Sequence, residues 1–171
     1  MNDFEKQLFD IRRSVRYHMK RCRFYDSFHD VITALNVMLG VSAIYSLLSN
    51  LLTTNTIAMI VSFISAMGVI DLVIGTSRKA RVHNDLANKF IDLEQYMLGK
   101  GEESLKRVIS KRLEIEKTEP PVLSVLDVIC HNEQVLADGY DKKYLQNIGW
   151  GQRLLSNFID FRIHTLGDNK S

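Results

Sequence analysis

From Val31 to Ile70 the chain runs for forty residues without a single Asp, Glu, Lys, Arg or His, although these residues crowd both flanks. A helix needs about 20 mostly apolar residues to cross about 30 Å of hydrocarbon, so the run is long enough for two passes. The polar but uncharged stretch Asn50-Leu51-Leu52-Thr53-Thr54-Asn55-Thr56 divides it, which predicts a hairpin with spans over 31–49 and 57–75. Thirteen of the 19 residues in the first span and fourteen of the 19 in the second are apolar, and neither keeps a polar face. A helix buried in a soluble bundle, the alternative reading, normally retains one. A cleavable signal peptide is not expected, because the run starts at position 31 behind a highly charged segment and is far longer than a signal core.

On both sides of the run the period changes to that of amphipathic helices. Phe4, Leu8, Ile11, Val15, His18 or Met19, Cys22 and Tyr25 recur at spacings of three and four with Arg and Lys beside them, a seam of about three heptads. The only prolines are Pro120 and Pro121, so nothing of that kind interrupts the first 119 residues, and one helix is predicted over 3–49. After the second span, Val82, Leu86, Phe90, Leu93 and Met97 continue the spacing up to Gly99-Lys100-Gly101, which predicts a second long helix antiparallel to the first. Shorter helices follow over Glu102–Lys117, Val122–Asp138 and Gln152–Leu166. The face of the last, with Leu154, Leu155, Phe158, Phe161 and Ile163, suits docking on the long helices, with lying on the membrane surface as the alternative. No stretch alternates like a strand. The expected fold is therefore an all-α membrane protein: a cytosolic N-terminal helix (1–30), a transmembrane hairpin (31–75) and a helical cytosolic region (76–171).

Overall composition, 46% hydrophobic and 25% charged, resembles an ordinary soluble protein only because it averages over this partition. Charge placement adds the orientation. Arg12, Arg13, Arg16, Lys20, Arg21 and Arg23 precede the first span, Arg78, Lys79, Arg81 and Lys89 follow the second, and the connecting loop has no Lys or Arg, so both termini are expected in the cytoplasm. Cys22 and Cys130 then face a reducing compartment without CxxC spacing, which indicates neither disulfide nor zinc. A net charge of +2 gives no reason to expect nucleic-acid binding.

Chemistry-bearing motifs are sparse: GxxxxGK[ST], GxGxxG, HExxH and GxSxG are all missing, the five His are scattered, and no catalytic residue, metal or cofactor is expected. One polar cluster stands out, Asp127, His131, Asn132 and Glu133, where Asp127 and His131 at i and i+4 are able to share a proton or hold a ligand, or to serve as an inter-helix hydrogen bond. Counting outward from a turn centred near Thr53 places Asn36 and Asp71 at nearly the same depth, which suggests an inter-span contact or a polar ring in an oligomer; Asp71 as an interfacial anchor near Arg78 and Lys79 is the alternative. Leu8, Ile11, Val15 and Cys22 are the expected oligomer seam. Small residues, Ala58, Ser62 and Ala66 at spacing four, Gly68 and Gly75, and Gly40, Ser42 and Ser46 in the first span, permit close helix approach.

The charged N-terminal helix, two spans with a short uncharged loop, the segment Arg78-Lys-Ala-Arg-Val-His-Asn-Asp-Leu-Ala-Asn88 and the stretch Leu126-Asp127-Val-Ile-Cys130-His131-Asn132-Glu133 together resemble the SLATT family, over roughly residues 10 to 165. These are two-transmembrane effector domains found beside bacterial nucleotide-second-messenger synthases. The resemblance implies an oligomeric effector of anti-phage defence that permeabilises or depolarises the bacterial inner membrane once triggered, with a nucleotide second messenger or a partner defence protein as the source of the trigger. No appended nucleotide-sensing domain is recognisable. A membrane-anchored scaffold that recruits a cytosolic partner is the alternative function, and a membrane enzyme the weakest.

Overall fold

The computed structural model describes residues 2–49 and 52–160, and among them all regular structure is helical. The order is α1 (Asp3–Ser49), α2 (Thr54–Ile74), α3 (Thr76–Lys100), a 3₁₀ turn (Gly101–Ser104), α4 (Leu105–Glu116), α5 (Ser124–Ala137), a second 3₁₀ turn (Lys142–Tyr144) and α6 (Trp150–Leu155). The uninterrupted helix expected over 3–49 is α1. The Asn-Thr loop gives α2 its start, since the Thr53 side chain accepts from the Thr56 N–H and so caps the first turn.

The second long helix of the sequence reading is in fact two. Gly75 adopts φ +65°, ψ +44°, a left-handed conformation that costs a residue with a Cβ about 1–2 kcal/mol, and it separates α2 from α3. The Gly75 N–H donates to the Asp71 carbonyl at 2.9 Å, and the Lys79 N–H to the Gly75 carbonyl at 2.9 Å, so backbone bonding passes through the break.

Two compact units result, one combining Met1–Arg21 with His83–Ser171, the other Cys22–Val82. In the first, α1, α3 and α4 enclose a core of Ile11, Phe90, Leu93, Met97 and Val108, flanked by Phe4, Leu8, Val15, Tyr96, Leu105 and Ile115. A second cluster joins Tyr17 of α1 to Leu126 and Cys130 of α5. The residues expected to form an oligomer seam pack here within the chain: Ile11 is fully buried, with Leu8 and Val15 beside it, because the periodic face of α1 meets the matching faces of α3 and α4. Cys22 belongs to the other unit, is half-buried, and its thiol donates to Asp26 at 3.4 Å.

In that second unit, α1 and α2 each include a stretch long and apolar enough to cross a membrane. Only 17% and 6% of those two windows are buried. Val37, Met38, Val41, Ile44, Met59, Phe63, Leu72 and Val73 all point outward.

The final helix is shorter than expected; the part of the 152–166 prediction from 161 onward, with Phe161 and Ile163, lies outside the described residues. What holds α6 is polar. Gln152 and Ser156 are buried, the Arg21 guanidinium donates to the Asn157 carbonyl at 2.6 Å, and Asp160 accepts the N–H groups of Ser124 and Val125 at 3.0 and 3.1 Å. Leu123, the residue before α5, has no side-chain oxygen, so Asp160 serves the orphan donors at that helix start, and the Tyr17 hydroxyl accepts the Leu123 N–H at 2.9 Å. Truncation after Gly151 therefore removes a cap, a charge-assisted bond and two buried side chains. A loss of about 2–4 kcal/mol is expected from the cap and the bond together, visible as a lower unfolding temperature in detergent.

Candidate functional site

Within unit Cys22–Val82 the polar groups of the two apolar helices do not pair as depth counting predicts. Asn36 lies against Gly68, where an added Cβ would stand 3.9 Å from Asn36 Nδ2; Gly68 is about one turn before Asp71 in α2. Asn36 Oδ1 is buried without a hydrogen-bond partner among the described residues. Asp71 instead engages His29 of α1, Nδ1 to Oδ2 at 2.8 Å, and its other oxygen accepts from the Thr76 hydroxyl. Asp71 thus ties together α1, α2 and the first residue of α3, across the Gly75 break. The small residues divide as well. Ala58, Ser62 and Ala66 are exposed, whereas Ala43 and Ser46 of α1 are buried and Gly40 and Gly68 half-buried.

In the other unit the four polar residues expected to cluster are dispersed to separate partners. Asp127 faces Arg13 Nε at 3.4 Å, Glu133 accepts from Lys20 Nζ at 2.8 Å, Asn132 exchanges two bonds with the backbone of Gln146 at 2.7 and 2.8 Å, and His131 Nε2 lies 3.3 Å from the Tyr144 carbonyl with its ring edge-on to Phe9. The reason is geometric: positions 127 to 133 span nearly two turns of α5, so their side chains leave the helix toward α1 on one side and toward 144–146 on the other. They fasten α5 in place. Burial raises the Asp127 carboxyl above its usual range, against the lowering effects of Arg13 and His131. Burial likewise pushes the Cys130 thiol up to about 12, which leaves it protonated and unreactive in the folded chain.

The basic residues that precede the first span are also engaged within the chain. Arg12 donates to Glu94 at 2.7 Å and reaches Asp138 at 3.3 Å; Arg16 donates to Gln134 at 2.6 Å, which in turn donates to Asp138 at 2.8 Å. Glu94 is the main cause of a raised Arg12 pKa.

Sequence reasoning missed one constellation. His18 is 1% exposed, its Nδ1 is 2.9 Å from Nδ1 of His83, its Nε2 is 3.2 Å from a Glu119 carboxylate oxygen, and its ring stacks on Phe90 at 5.7 Å. With Glu119 accepting from Nε2–H, His18 either accepts from His83 Nδ1–H or, as imidazolium, donates to it, and in either arrangement each of the two contacts holds one proton. Its Glu119 end opens on a polar cavity of about 280 Å³ shared with Arg13, Ser14, Tyr17 and Asp127. Glu119 stands before Pro120-Pro121, which disfavours helix at that residue and turns the segment after α4 toward His18. The only signal was a polar His at a seam position. Among the described residues no group of three or more His, Cys, Asp and Glu is arranged to hold a metal ion.

No family model, curated protein or solved structure matches this chain.

Proposed function

We propose that the chain is a SLATT-type effector of bacterial anti-phage defence: an oligomer in the inner membrane, each copy a transmembrane hairpin with both termini cytoplasmic, that opens a pore or depolarises the membrane when triggered. The observation that carries this reading is the outward apolar surface of α1 and α2, whose spanning windows are only 17% and 6% buried. In water, so much exposed Val, Ile, Leu and Met would aggregate; in a bilayer it is the surface lipid requires. Two helices cannot enclose a water-filled path, so conduction needs several copies. Ala58, Ser62 and Ala66, outward in the single chain, supply a small-residue stripe on which another copy's helix is able to pack closely. Asn36, with an unpartnered buried amide oxygen, and Asp71 are the polar candidates for lining such a path. Activation by a nucleotide second messenger or by a partner defence protein belongs to the same proposal.

The topology is checked by single-cysteine labelling of intact cells in a Cys22→Ser, Cys130→Ser background. A thiol at Thr54 should react with an impermeant maleimide, whereas thiols at Asn2 and Ser171 should react only after permeabilisation; outside labelling of either terminus overturns the hairpin. For the activity, purified full-length chain is reconstituted into planar bilayers at rising protein density, which favours assembly by mass action. Stepwise conductance is expected. A silent bilayer at every density, with potential-sensitive dyes unmoved on expression in bacteria, would favour the scaffold that recruits a cytosolic partner.

A further inference from the structure

The last described helix is inside out. In α6 Gln152 is buried, as is the helix's C-terminal cap residue Ser156, while Trp150 is 84% exposed and Leu154, one turn later, 69%; Phe158, in the turn after the helix, is 58% exposed. A short helix docked on a water-soluble unit would turn Trp150 and Leu154 inward and Gln152 and Ser156 outward, since burying the two apolar side chains is worth about 2–3 kcal/mol each. The reversal is held in place by the bonds from Arg21 to Asn157 and from the α5 N–H groups to Asp160, so the apolar side is presented rather than merely frayed.

We propose that this face, Trp150 with Leu154, lies on the cytoplasmic surface of the lipid bilayer. The occupant follows from chemistry and from position in the chain. Trp is enriched where hydrocarbon meets headgroups. Arg153, next to Leu154 on α6, is exposed, as is Lys142 before the helix, whereas Lys143 is paired with Asp141 at 3.6 Å; α6 itself has no acidic residue, and Arg153 with Lys142 supplies the basic rim that anionic headgroups attract. Arg21, which holds the Asn157 carbonyl, stands ten residues before the uncharged run begins at Val31. The surface contact rests on the reading that α1 and α2 span the membrane, and its role is to hold the cytosolic helices against the bilayer.

Trp150 is the chain's single tryptophan, so its emission reports this face alone. The full-length protein is reconstituted into vesicles of phosphatidylcholine and phosphatidylglycerol in which the acyl chains carry bromine either near the headgroup end or near the terminal methyl. Emission should be blue-shifted and fall by about twofold with the shallow quencher, and much less with the deep one, as expected for an indole at the interface. Leaving out phosphatidylglycerol should weaken the quenching if the basic rim contributes. A companion, Phe63→Trp in a Trp150→Phe background, places the indole in the middle of α2 and tests the spanning reading separately. Quenching of the Phe63→Trp reporter without quenching of Trp150 overturns the surface contact and leaves the hairpin intact. Quenching of neither overturns the spanning reading and this proposal with it. Blue-shifted but unquenched Trp150 shows a protein partner on this face, another copy included, and also overturns the lipid assignment.

Discussion

Ile11→Asp should unfold the helical unit rather than only separate its oligomers. Ile11 is fully buried between Phe90, Leu93, Met97 and Val108, so the substitution both deletes a packed aliphatic side chain and leaves a carboxylate in an apolar core with no basic partner in that cluster. Breaking burial in this way costs about 3–5 kcal/mol, against a total stability of about 5–15 kcal/mol for a domain. Ile11→Val, which removes one methylene, should cost only about 1 kcal/mol. Cys130 provides the readout: it is fully buried in the same unit and its thiol is held up at about 12, so in a Cys22→Ser background it should alkylate slowly in the native chain and quickly in the variant. Were the seam between chains instead, the variant would dissociate with its helices intact and Cys130 still protected.

A helical period identifies a buried face but not its partner. The three- and four-residue spacing of Leu8, Ile11 and Val15 identifies a buried face of α1, and the lack of proline identifies its length; both are local properties of a helix. Against which helix that face packs is not local, since α3 and α4 carry equally good stripes at Phe90, Leu93, Met97 and Val108. Gly75 was ambiguous for a different reason, because a glycine in an apolar helix serves either as a small packing residue or as a left-handed stop, and only the backbone distinguishes them. Of the polar candidates, the residues Asp127 to Glu133 were found but their partners were not: sequence gives the positions on α5, while Arg13, Lys20 and Gln146 come from elsewhere in the chain. The His18, His83 and Glu119 contact joins positions 65 and 101 residues apart, and its one local trace is a polar His at a seam position of α1. The register of the two apolar helices fell between these cases. Counting from Thr53 matched Asn36 with Asp71 because it treats both arms as equal in reach. His29 takes Asp71 instead, two residues before the uncharged run, and leaves Asn36 against Gly68.

Asp71 carries the largest expected effect on activity. Both of its oxygens are engaged, one by the Thr76 hydroxyl and one by His29 Nδ1, at the junction of α2 and α3. Asp71→Leu strips both partners at once, and each group left unsatisfied costs about 1–3 kcal/mol where it is shielded from water, so assembly itself should suffer. Asp71→Asn separates structure from charge. Its amide oxygen still accepts from Thr76, and its NH₂ is able to donate to His29 Nδ1 when that nitrogen is unprotonated, so the variant should assemble as the wild type does. In an oligomer with Asp71 repeated around a path, removing the charges should then shift the reversal potential under a salt gradient toward zero and reduce depolarisation of expressing cells, while Asp71→Lys should invert the preference or abolish conduction. His29→Gln separates the pair from the other side: it keeps a hydrogen bond to Asp71 without an ionisable ring, and cation preference should survive it. If Asp71→Asn leaves reversal potential, conductance and assembly all unchanged, the residue anchors the α2–α3 junction through Thr76 and His29, and a pore in this protein must draw its selectivity from elsewhere.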